Sequence, residues 1–118
     1  MARLTLKYRN TGVSSTALLV AAGNFDIIGW NLINTGASNA FLKFYNSATA
    51  AGVTVGTTTP VKTLLIPAGG TFMLSNEEKL QDGYNNGIVI AATSGLADSD
   101  TGVPTTSVYV ELNYQASQ

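Results

Sequence analysis

Residues 107–114 read SVYVELNY. Successive side chains of an extended chain point to opposite sides, so Val108, Val110, Leu112 and Tyr114 share one face while Tyr109, Glu111 and Asn113 share the other. One face suits a core, and the other suits water or a partner. The rest of the chain follows the same style. Short runs rich in β-branched and aromatic residues, bounded by Gly, Pro, Asn and Ser, place strands at 3–9, 16–22, 26–34, 40–46, 61–66, 70–75, 87–93 and 107–114. Helical periodicity is absent. The expected fold is all-β, a single-domain antiparallel β-sandwich, jelly-roll-like, with about eight short strands over residues 1–118. Residues 1–15 read as an amino-terminal arm or an edge strand.

Local features refine this pattern. In AFLKFYN, Leu42 and Phe44 oppose Phe41, Lys43 and Tyr45, so both faces carry aromatic groups, with Lys43 marking the outer one. Pro60 and Pro67 bracket VKTLLI, and proline donates no ladder hydrogen bond, so each marks a strand end. Asp82-Gly83 and Asn86-Gly87 have the chemistry of tight turns. The stretch SATAAGVTVGTTT is loop-like, with room for a short strand at 53–55.

Composition narrows the function. The chain has 118 residues and neither cysteine nor histidine, which removes disulfides, thiolate metal sites, thiol nucleophiles and imidazole catalysis together. Its net charge of −1 offers no electrostatic footprint for nucleic acid or an anionic membrane. Charged residues make up 11% of the chain, against about 25% in an ordinary soluble domain. Such a surface suits a protein covered by neighbours. The apolar run 17–22 is too short for the core of a secretory signal, and no run approaches the length of a membrane span.

Three features invite a chemical reading. LADSDTG, residues 96–102, places Asp98 and Asp100 before a glycine, like the opening of a calcium loop, but position 109 is Tyr and the bidentate glutamate that would close such a loop is missing. A turn whose carboxylates accept backbone N–H bonds is the simpler reading. Glu77 and Glu78 are neighbours and would point to opposite faces of a strand, which no glycosidase pair does. Trp30 and Tyr84 are candidates for stacking on a sugar, although Trp30 sits among Ile27, Ile28, Leu32 and Ile33, as core residues do. No catalytic residue, cofactor or resident metal is expected, and the chain does not read as an enzyme. Interface candidates are Arg3, Lys7, Arg9, Trp30, Phe41, Tyr45, Phe72, Tyr84 and Tyr109.

The order of features carries a resemblance. DIIGWNLINTG is followed by NAFLKFYNSATA, VGTTTPVKTLLIPAGGTF, NGIVIAATSGLADSDTG and SVYVELNY. From Gly29 to Tyr114 this order resembles a group of small structural proteins of tailed phages, which decorate the capsid or form part of a fibre or tail appendage. What the resemblance implies is a jelly-roll β-sandwich on the virion capsid surface. It would act as a decoration or cement protein, with the major capsid protein and copies of itself, as a homotrimer, for partners. The alternative it leaves is a receptor- or glycan-binding module of a fibre. It implies no catalytic residues, no nucleic acid and no membrane.

Overall fold

The structure is a computed structural model that describes residues 4–76 and 82–117. Arg3, Glu77 and Glu78 lie outside the described residues. Among the described residues nine strands follow in order: β1 (Leu6–Val13), β2 (Leu18–Ala22), β3 (Phe25–Ile33), β4 (Ala40–Asn46), β5 (Lys62–Ile66), β6 (Thr71–Leu74), β7 (Asp82–Tyr84), β8 (Gly87–Thr93) and β9 (Val108–Ala116). They form two antiparallel sheets. The first has the order β1-β9-β3-β6, with β7 also on β3, and the second has the order β2-β8-β4-β5.

The pairing is that of a rolled ribbon. β1 pairs β9, β2 pairs β8, β3 pairs β6 and β7, and β4 pairs β5, so the chain folds back on itself from the β4–β5 turn outward. Rolling that ribbon brings β9 beside β3 and β8 beside β4, which closes the two sheets. This is the jelly roll expected from the sequence. β6 and β7 lie end to end along one edge of β3, Leu74 opposite Trp30 and Asp82 opposite Ile27. They act as one split strand.

The split coincides with a bulge. Between Ile27 and Gly29 the register of β3 against β9 slips, leaving Ile28 as the extra residue. A bulge of this kind shifts the side-chain phase by one, and so Ile27, Trp30 and Leu32 all reach the core although 27 and 30 differ in parity. Turn chemistry misleads at the same place. Asp82-Gly83 looks like a hairpin turn, yet Gly83 is extended and paired with Asp26, because the edge of β3 beyond the bulge needs a partner. Residues 53–55 form no strand.

The core lies between the sheets. Val108, Val110 and Leu112 from β9 meet Leu42 and Phe44 from β4 and Ile88 and Ile90 from β8, all fully buried. The alternation of SVYVELNY is therefore realised residue by residue. At one end, Asn34 ties the sheets together: its Nδ2 donates to the carbonyls of Ser38 (2.8 Å) and Ile66 (3.1 Å), and its Oδ1 accepts from the Gly36 N–H (2.9 Å). Its amide is thus satisfied although buried.

Because β9 is flanked by β1 and β3, a cavity beneath it cannot collapse easily. Leu112→Ala is expected to cost about 3 kcal/mol in urea unfolding, and a loss below about 1 kcal/mol would contradict the assigned core face.

Candidate interaction surface

The two outer faces of the sandwich differ. On the second sheet, Lys43, Tyr45, Val89 and Ala91 point away from the main core, yet all four are buried. Two loops cover them. Val53 and Val55 of the segment 47–61 pack with Tyr45, Val89 and Ala91 as a small separate cluster. The segment 94–107 lies over Lys43, whose Nζ donates to the Ala97 carbonyl at 2.5 Å.

The loops also touch each other. Gly56 has φ of +91°, and a Cβ there would run into the Thr101 methyl. No L side chain fits that approach. The 94–107 loop is further closed by Ser94 N–H to Gly102 O (3.0 Å), Asp100 N–H to Ala97 O (2.9 Å) and Gly102 N–H to the Asp100 carboxylate (2.7 Å). Asp100 is thus a turn former, as its spacing suggested. Asp98 is exposed beside it, close enough that its charge, after burial, helps to raise the Tyr45 hydroxyl above its ordinary pKa.

The described residues leave the outer face of the first sheet open. The register carries one row across it, Arg9 to Glu111 to Asn31 to Met73, and another from Lys7 to Asn113 to Gly29. Arg9 donates from Nε to the Tyr109 hydroxyl at 3.1 Å, with its guanidinium carbon 5.3 Å from the centre of that ring. Asn31 Nδ2 donates to Glu111 Oε1 at 3.2 Å, and Asn113 Nδ2 donates to Asn76 Oδ1 at 2.7 Å. A shallow hollow of about 250 Å³ lies between Lys7, Tyr8, Arg9, Glu111 and Asn113.

Hydrogen bonds from Tyr109 and Asn31, then the charges of Arg9 and Lys7, hold the Glu111 carboxyl below its ordinary value of 4.5. It stays ionised and accepts bonds; it offers no proton. The face presents fixed donors, two cations, one aromatic ring and an exposed thioether, Met73 at 66%. That is chemistry for binding another surface.

Several expected interface residues are elsewhere. Trp30 is 6% exposed and lies in the core, edge-on to Phe72 at 5.6 Å. Phe72 faces inward opposite Leu32, while its neighbour Met73 faces out. Tyr84 is fully buried and donates to Asp82 Oδ2 at 3.3 Å. Burial, then Asp82, raises its hydroxyl far above the ordinary range. Lys62 closes this side of the sandwich, bridging to Asp82 at 2.9 Å with Nζ 5.2 Å from the centre of the Trp30 ring. Tyr45 is enclosed by the loop 47–61. As interface residues Trp30, Tyr45 and Tyr84 are therefore corrected, because the molecule covers them itself, and half-buried Phe72 turns toward the core. Lys7, Arg9 and Tyr109 do come together, and Phe41 stands half-buried opposite Leu65 on the second sheet. Glu111, Asn31, Asn113 and Met73 were not singled out for the surface, although the alternation in SVYVELNY already set Glu111 and Asn113 beside Tyr109.

No family model and no curated protein matches the chain. Solved structures with a similar course of chain include a protein of Bacillus endospore appendages, described as a novel family of disulfide-linked pili. It is 14% identical with a TM-score of 0.49, covering 99% of this chain and 88% of that one. PirA is 10% identical with a TM-score of 0.38, covering 98% of this chain and 95% of that one. Neither likeness is close enough to carry a role, a partner or a site residue across, and neither description names a phage. The 118 residues here contain no cysteine, so they cannot join a neighbour by a disulfide.

Two outcomes test the site. Because the Glu111 pKa is depressed on folding, its contribution is present above pH 4.5 and lost as pH falls through the lower folded value. The stability gap between wild type and Glu111→Gln is therefore expected to shrink in that acid window, and a gap that widens there would have the wrong sign. Tyr84→Phe loses a bond to a carboxylate and is expected to cost about 1 kcal/mol. The Tyr45 hydroxyl has no hydrogen-bond partner among the described residues, so thermal unfolding of Tyr45→Phe should show a loss below about 0.5 kcal/mol, or a gain.

Proposed function

We propose that this chain is a structural protein of a surface assembly and works by protein–protein contact through the outer face of its first sheet. The observation that carries this reading is the difference between the two faces. A lone sandwich gains by covering apolar outer residues, and the middle of the second sheet's face is covered by the chain's own loops, with Leu19 and Leu65 exposed toward its edges, while the first keeps a pre-ordered network of donors and an exposed methionine. Such a surface loses little freedom on docking. Low charge and the missing histidine and cysteine support a role without catalysis.

The finer reading is a phage capsid decoration protein, supported by the ordered resemblance from DIIGWNLIN to SVYVELNY. Its mechanism would be linkage: a rigid domain that binds the assembled shell better than separate subunits stabilises the shell by mass action. The alternative of a glycan-binding module rested on Trp30 and Tyr84. Both rings are enclosed, and that support is gone.

Quantitative mass spectrometry of gradient-purified particles is expected to find the chain in near-stoichiometric amounts with the major capsid protein. Recovery with tails alone would sink the decoration reading and keep the structural one; absence from particles and appendages would sink both.

A further inference from the structure

The described charges are divided between the two sides of the molecule. Lys43 is buried on Ala97 and Lys62 is paired with Asp82, which leaves Lys7 and Arg9 as the exposed cations among the described residues, both on the outer face of the first sheet. Glu111 shares that face, bonded to Tyr109 and Asn31 and drawn to Arg9 and Lys7, so two cations against one carboxylate leave the hollow a net charge of +1. On the opposite side, Asp98 and Asp100 sit in the loop that covers the second sheet. Even the shortest principal extent of the molecule is 20 Å, more than two screening lengths of about 8 Å each at physiological salt. The two sides cannot neutralise one another within one molecule.

They are also matched in form. The acidic loop is held closed by its own backbone bonds and by Lys43, and it projects Leu96, 64% exposed, two residues from Asp98. The basic face holds the hollow lined by Lys7, Tyr8, Arg9, Glu111 and Asn113. A leucine seated there would lie against the methylene stems of Lys7 and Arg9, with Asp98 left facing the cations at the rim.

We infer that the molecule self-associates head to tail: the loop around Leu96 and Asp98 of one copy docks in the Lys7–Arg9 hollow of the next. The inference rests on the contact role proposed above and names the partner as a second copy. The two surfaces lie on opposite sides, so the contact is heterologous, leaves one loop and one hollow free at each end, and closes into a ring or continues as a filament according to its rotation.

Sedimentation velocity of the wild type at low salt is expected to show species larger than a dimer that diminish as salt is raised. Arg9→Glu and Asp98→Lys should each weaken association about tenfold or more; the first also lowers the melting temperature by a few degrees, since it loses the Tyr109 contact and faces Glu111 with a like charge, while exposed Asp98→Lys leaves it unchanged. An equal mixture of the two variants pairs the unchanged loop of one with the unchanged hollow of the other, and the substituted loop with the substituted hollow, so it should regain larger species in which the two variants alternate. The double variant Arg9→Glu, Asp98→Lys should regain larger species. A wild type still monomeric at about 1 mM, the weak limit of a specific contact, would overturn the inference, as would assembly indifferent to both substitutions or ending in a closed dimer. A chain that stays monomeric yet co-purifies with particles would overturn this inference alone, whereas absence from particles and appendages would overturn the structural role.

Discussion

A buried lysine divides the molecule into a closed side and an open one. Lys43 projects outward from the middle of β4, where the alternation of AFLKFYN puts it, and it is 0% exposed. Burying an unpaired ammonium costs several kcal/mol. The carbonyl of Ala97 meets it, and the 94–107 loop is thereby drawn across the second sheet. Against that loop rests Gly56 of the segment 47–61, which in turn seals Tyr45, Val89 and Ala91. With the middle of one outer face closed by its own chain, the broad polar face of the first sheet is left for contact.

The strand pattern was legible because it is local. Period-two alternation in SVYVELNY and the proline brackets around VKTLLI fixed the strands β9 and β5, and the strands at 40–46 and 87–93 fall where the sequence placed them. What failed is non-local. β7 carries turn residues and is a strand because β3, bulged at Ile28, exposes an edge that needs pairing. No property of Asp82-Gly83 itself signals that.

The same distinction explains the misplaced aromatics. An outward-pointing Tyr45 on a strand reads as available, and only the path of a distant loop covers it. A signal did exist: GIVIAAT and AFLKFYN are apolar on both faces, as strands buried on both sides are. Trp30 and Phe72 follow from the bulge, which turns the ring at position 30 inward and so sends Met73, one residue past Phe72, outward. Lys7, Arg9 and Tyr109, by contrast, were readable as a group once β1 is paired with β9, since their alternation leaves all three on one side. The role of LADSDTG was readable in part, with Asp100 forming the turn and Asp98 left to meet solvent or a neighbour.

Contact through the first sheet requires its outer face to be open while the loops seal Tyr45 on the second. Hydroxyl-radical labelling of the isolated protein, read residue by residue, tests this directly by comparing Tyr109 and Met73 with Tyr45. The expected result is rapid labelling of Tyr109 and Met73 in the folded state and labelling of Tyr45 only on unfolding. Labelling of Tyr45 in the folded protein at the rate of Tyr109 would mean that the loops do not seal the second sheet, and the account would fail.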